Sequence, residues 1–386
     1  MGTAENSAVS DTVNGTVAAG WESVREEFAA FAAAEQHSPE AQLVVHHRGR
    51  RVVDLWTGED TDGDTLGAVY SVTKGAAHLV VALLVQDGVL ELDRPVSSYW
   101  PEFTGHGKEK LTVRQLVAHG SGLINVPEGF TLPELADDAL LAARLAEAEP
   151  YWEPGTAYGY HAFVIGALTG EVVRRVTGRS LQEIYEERIR APFGLDLYLG
   201  LPAALEGRRK PILPQLPTPE QLAAAAAGPA LPELMAVAFN AHVDPPMDMV
   251  EYGNHPQVVA QGPASAGGVG SARGVAAMYA AAIGVLDDRP ALLKPDTAAE
   301  VARLHTPGAD RVVPEVDHFG LGFELQPAVG PQAFGHSGAA GAQSFADPAT
   351  SVAYAYTRRR FFFPGGNAAE NERLTAAVLA VARGLG

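Results

Sequence analysis

The sequence predicts an α+β fold: one antiparallel sheet drawn from strands near both ends of the chain, flanked by helices, with a mostly helical lobe inserted between. Three observations predict it. Short β-prone runs bounded by turn residues occur at about 40–58 and again at about 319–357. The stretch between them, about 75–275, is dominated by helical patterns. And 386 residues, 47% hydrophobic and 19% charged, can bury a large core. Length alone would allow two or three domains, but a single unit with an inserted lobe over residues 21–386 fits equally well and is preferred.

From the N-terminus, Met1 to about Gly20 reads as a flexible polar tail. Trp21, Val24, Phe28 and Phe31 recur at helical spacing among Glu22, Arg25, Glu26 and Glu27, which predicts an amphipathic helix. Gln42–His46 and Arg51–Leu55 flank Arg48-Gly49-Arg50, a hairpin with a glycine free to take a positive φ. Helices are expected from Ser71 through Val85, closed by Asp87-Gly88, and at Val113–His119, Pro133–Ala148, Ala162–Thr177 and Leu181–Arg190. Pro211–Pro232, rich in Pro and Ala, suits an irregular surface excursion. Gly262–Gly274 is rich in Gly and Ser and leads into a helix at Val275–Val285. Strands follow at Phe319–Leu325, Ala342–Ala346 and Val352–Tyr356, the last two joined by an Asp347–Ser351 turn. A helix over Ala368–Ala382 closes the chain, with Gly384 as its C-cap signal.

Composition excludes several kinds of chemistry. The formal charge of −18 opposes a polyanionic partner, and the only tight basic groups are Arg208-Arg209-Lys210 and Arg358-Arg359-Arg360, so nucleic acid is not expected. No cysteine means no disulfide, thiolate metal site or cysteine nucleophile. Met1–Gly20 has neither a basic start nor a continuous apolar run, so it does not read as a secretory signal, and a cytoplasmic protein is expected. Apolar stretches such as Leu79–Val85 and Leu222–Ala227 are far shorter than the ~20 residues that cross a bilayer. His46-His47 and the scattered histidines match no metal motif, and Gly267-Gly268-Val269-Gly270-Ser271 lacks the full dinucleotide fingerprint, so no metal or cofactor is assigned. A Gly-x-Ser-x-Gly nucleophile elbow is absent from the sequence.

Serine is a poor nucleophile near neutral pH and needs a proton acceptor within reach of its hydroxyl. In Val69-Tyr70-Ser71-Val72-Thr73-Lys74, residues 71 and 74 stand three apart at the start of an apolar helix, a spacing that puts both on one face. The helix N-terminus adds amides suited to an oxyanion, and a buried lysine gives up its proton well below its usual pKa. An N-cap serine followed by a solvated lysine gives the same four letters. Further along, Pro154-Gly155 turns the chain just before Tyr158 and Tyr160, either of which could relay protons or simply pack. In Gly335-His336-Ser337-Gly338-Ala339-Ala340-Gly341, small residues at a strand position mark a close backbone approach, or a bend.

These three segments in this order resemble the class C β-lactamase-like superfamily of DD-peptidases, β-lactamases and family VIII carboxylesterases, and are closest in type to the last. Gly88-Val89-Leu90-Glu91-Leu92-Asp93, Leu111-Thr112-Val113-Arg114-Gln115-Leu116 and His119-Gly120-Ser121-Gly122-Leu123 are similar to stretches common in that group, so the resemblance covers roughly Gln42 to Tyr356. It implies that Ser71 is acylated, that Lys74 and Tyr160 share the proton transfers with Tyr158 as the competing tyrosine, and that the amides of Ser71 and Ala339 form the oxyanion hole. His336, Ser337, Gly338 and Tyr158 would border the substrate, His336-Ser337-Gly338 standing at the family's Lys-Thr-Gly position.

Two departures bear on the substrate. His336 replaces a lysine that suits a substrate carboxylate, and histidine is largely neutral near pH 7. Ala162 stands where many members carry the Asn of Tyr-x-Asn, so an acylamido group would leave polar atoms unpaired, at ~1–3 kcal/mol. Both point toward uncharged small-molecule esters. The same acyl-enzyme could instead serve acyl transfer, peptide cyclisation or D-amino-acid peptide cleavage. A β-lactamase or a non-catalytic acyl-ligand binder remains a lesser alternative. The walls of the pocket should come from Thr131–Leu145 and Pro211–Asp248; the sequence leaves oligomeric state open.

Overall fold

The computed structural model describes residues 13–314 and 318–384. Its main sheet has seven antiparallel strands: β1 (Val13–Val17), β2 (Ala41–His47), β3 (Arg50–Thr57), β7 (Glu324–Leu325), β8 (Phe334–Gly338), β9 (Ala342–Asp347) and β10 (Val352–Arg358). Their order is β1-β3-β2-β10-β9-β8-β7, so the two ends of the chain meet where β2 pairs with β10. A second, three-stranded sheet orders β4 (Gly67–Ala68), β6 (Val269–Gly270) and β5 (Leu197–Tyr198) as β4-β6-β5.

The main sheet is covered on both faces, which is why every residue of β2 is buried. Alternation sorts the side chains. Leu43, Val45, Tyr354 and Tyr356 face the first helix, α1 (Glu22–Ala34), and the C-terminal helix Glu370–Gly384, meeting Trp21, Phe28, Leu374 and Val378. Val44, Ala353 and Ala355 face the lobe, where the helix Ala272–Ile283 lies against the sheet. Alanines on that face leave room for a helix backbone to come close; tyrosines fill the wider gap opposite. The hairpin turns through Arg48 and Gly49, both with positive φ (53° and 74°), the geometry of a two-residue primed turn.

Several sequence expectations shift in detail. Val13–Val17, placed in the tail, instead forms the edge strand β1 against β3; residues 1–12 lie outside the described residues. Pro133–Ala148 splits into helices Leu132–Leu135 and Asp138–Glu147, because Asp137 accepts hydrogen bonds from the amides of Ala139 and Leu140 and so caps a new start. Pro211–Pro232 contains a helix, Pro219–Ala227, begun by a Thr218/Gln221 capping box. Of Phe319–Leu325 only the last two residues pair as a strand, since the chain turns at Gly322, φ 76°. Gly384 ends the last helix rather than standing beyond it. Among the described residues no helix is long and apolar enough to cross a membrane.

Candidate active site

Ser71 sits in a single 3₁₀ turn, Tyr70–Val72, that runs directly into the helix α2 (Thr73–Gln86). Tyr70 holds φ at 49°, a left-handed conformation that costs a bulky residue about 1–3 kcal/mol. Its surroundings impose it. The ring is buried between Tyr252 and Phe361, and the hydroxyl donates to the Met249 carbonyl at 2.8 Å. The Gly-rich segment the sequence left without a role braces the same turn: the Val69 amide donates to Gly268 O at 3.0 Å, and the Gly268 amide donates to Thr73 Oγ1 at 2.9 Å. A Cβ on Gly268 would lie 2.6 Å from that hydroxyl.

Helix α2 is buried on all sides from Thr73 to Leu84, so Lys74 is 0% exposed. Its Nζ lies 3.1 Å from Ser71 Oγ, 2.7 Å from Ala162 O and 2.9 Å from Ser265 O. Burial lowers its pKa to about 7, against a small opposing pull from Glu324. A neutral amine has two N–H donors and one lone pair. The two carbonyls take the donors and leave the lone pair facing Ser71 Oγ.

Tyr160 completes the constellation by donating its hydroxyl to Ser71 Oγ at 2.7 Å. Its ring is stacked parallel to Phe319, stands 6.0 Å from Phe239, and lies 4.9 Å from Lys74 Nζ. Phe239 thus comes from the Pro211–Asp248 stretch expected to wall the pocket. Tyr158, two residues earlier, donates its hydroxyl to Gly308 O at 2.7 Å and packs edge-on to Phe319. Tyr160, not Tyr158, reaches Ser71 Oγ, while the Tyr158 hydroxyl is tied to the 308 loop.

Strand β8 passes beside the turn that holds Ser71. Gly338 is required there, since a Cβ would lie 2.7 Å from the Val69 carbonyl. The close approach expected of this glycine is to the chain's own backbone. His336 is 0% exposed, with Nδ1 2.9 Å from Ser337 O and 3.2 Å from Glu324 Oε1. Burial lowers its pKa to about 4, so it is neutral near pH 7. Ser337, partly exposed, donates its amide to Glu324 Oε2 at 2.7 Å and its hydroxyl to Oε1 at 3.0 Å.

Glu324, to which the sequence reading gave no role, is bound to this segment by both of those hydrogen bonds. It looked like one polar position in a strand. His119 and His161 were likewise passed over inside motif segments; both are fully buried, with His119 5.4 Å from the Tyr160 ring and its Nδ1 accepting the His161 amide. Burial lowers the pKa of both, so neither adds a charge beside Lys74 at neutral pH.

A family model described as Beta-lactamase matches residues 14–379. The chain belongs to the β-lactamase family. Within it the likeness runs to esterases. Over 83% of this chain and 77% of its own length, an esterase/β-lactamase, LipL, of Mycobacterium tuberculosis is 33% identical. The structure of EstA from Arthrobacter nitroguajacolicus Rue61a is 39% identical with a TM-score of 0.87, covering 96% of this chain and 99% of that one. A family VIII carboxylesterase structure is 33% identical with a TM-score of 0.83 at the same coverage. The antiparallel sheet with its helical lobe is the β-lactamase-like fold of these neighbours.

Proposed function

We propose that this family member hydrolyses esters of uncharged small molecules through an acyl-enzyme on Ser71. The observation that carries the reading is the contact of Ser71 Oγ with both a buried lysine and a tyrosine hydroxyl, at 3.1 and 2.7 Å. Neutral Lys74 takes the Ser71 proton as Oγ attacks the ester carbonyl. The amides of Ser71 and Ala339 receive the negative oxygen of the tetrahedral intermediate. Tyr160 then gives its proton to the departing alkoxide and is reprotonated from Lys74. In the second half, water attacks the acyl group, losing its proton to the same pair while Ser71 regains one. The likeness to an esterase/β-lactamase and to a family VIII carboxylesterase supports ester substrates at the level of the family.

The test is intact-protein mass after brief exposure to p-nitrophenyl acetate and, separately, to penicillin G, with peptide mapping of any adduct. Turnover of the ester with a transient acetyl group on Ser71 and little penicilloyl adduct is expected. Ser71→Ala should abolish ester turnover and leave the fold intact; near-normal turnover in that variant overturns the assignment, and a long-lived penicilloyl group on Ser71 would mark a penicillin-recognising enzyme instead.

A further inference from the structure

We propose that Glu324 makes the substrate cleft exclude anions, so that the enzyme discriminates by charge against esters bearing a carboxylate on the acyl or alcohol part. This rests on the esterase reading above and adds a specificity-determining residue to it.

The case begins with the edge of the sheet. β7 pairs with β8 only through Glu324 opposite Gly335 and Leu325 opposite Phe334. Beyond Gly335 that edge of β8 has no partner strand among the described residues. Two backbone amides of this segment matter, that of Ser337 within β8 and that of Ala339 in the turn directly after it. The first is taken by Glu324 Oε2 at 2.7 Å. The second is the amide assigned above to the oxyanion hole, two residues further along the chain. A carboxylate is therefore fixed on the strand edge along which a substrate would lie.

Its neighbours are a serine and two histidines. Ser337 Oγ donates to Glu324 Oε1 at 3.0 Å, and His336 Nδ1 lies 3.2 Å from the same oxygen. His318 Nε2 lies at 3.8 Å. These groups stabilise the anion, and they are the donors that would otherwise greet a substrate carboxylate. Although burial alone would raise it, the carboxyl is held well below the usual carboxylate range by His336, His318 and the Ser337 amide. With Lys74 and His336 neutral above pH 7, neither offsets the Glu324 carboxylate. Its side chain is only 9% exposed, so salt screens it little.

The experiment compares kcat/KM for methyl 4-acetoxybenzoate with that for 4-acetoxybenzoate, a pair that differ in one negative charge. The wild-type enzyme should prefer the methyl ester by about tenfold or more, and keep that preference at about 1 M NaCl, where diffuse surface charge is screened. Glu324→Gln should narrow the ratio by about tenfold. Ser337→Ala, which keeps the carboxylate, should retain it. Equal use of both esters, loss of the preference in high salt, or an unchanged ratio in folded Glu324→Gln overturns the proposal. If Glu324→Gln fails to fold, the wild-type salt series decides. Turnover of neither ester by the wild-type enzyme would instead count against the esterase reading itself.

Discussion

Lys74 carries a residue-scale prediction because in the proposed mechanism it is the base and its protonation would set the rate. Its pKa, lowered from 10.5 to about 7 by burial, means the base is neutral above that pH and protonated below it. Acylation by p-nitrophenyl acetate, followed by stopped flow, should therefore fall about tenfold per pH unit on the acid side of about pH 7 and level off above it. A profile flat down to about pH 5 would remove Lys74 as the base. Tyr160→Phe takes away one hydroxyl and leaves a ring that still stacks on Phe319. Turnover should drop about 100-fold or more with the circular dichroism spectrum unchanged. Tyr158→Phe, losing the bond to Gly308 O and none to Ser71, should cost far less.

At the scale of elements, the site depends on β8 lying against the Tyr70–Val72 turn. Gly338→Val would drive a side chain into the Val69 carbonyl, which is backbone and cannot swing aside. Overpacking of this kind costs about 1–3 kcal/mol. Urea denaturation should show that loss together with slower acylation, and a stable, fully active variant would show that β8 can retreat without disturbing Ser71. The helix Pro219–Ala227 is the contrary case. It buries no side chain, so its existence is decided by local capping and not by the core. Its Thr-Pro-Glu-Gln start was legible as a capping box, but the surrounding prolines outweighed it in the sequence reading.

For the whole molecule, the joining of the two chain ends shows best in Glu40 and Arg359, paired at 2.8 Å and 319 positions apart in the chain. Both side chains are 7% exposed, and Glu40 also accepts from the amides of Glu59 and Asp60 and from Thr61 Oγ1. Glu40→Ala leaves a buried guanidinium without its counter-charge, a loss of about 3–5 kcal/mol. A fall in the urea midpoint of that order is expected, and a variant as stable as the parent would show the pair to be dispensable.

The sequence by itself determined what local periodicity encodes. The pattern of Trp21, Val24, Phe28 and Phe31 defined α1; Gly49 defined the hairpin; a three-residue interval put Ser71 and Lys74 on one face. Motif order carried the family as well. Only the tertiary structure decided the rest. Tyr160 meets Ser71 across 89 residues, and Lys74 finds its carbonyl acceptors 88 and 191 residues away. Nothing near Glu324 in the chain signals that it will fall beside Ser337 at the end of a short strand. Backbone hydrogen bonds repeat over three or four residues and leave a trace in the sequence, whereas desolvation belongs to the assembled core. The lowered pKa of Lys74 and the ionised state of Glu324 arise only when distant segments close around them and exclude water.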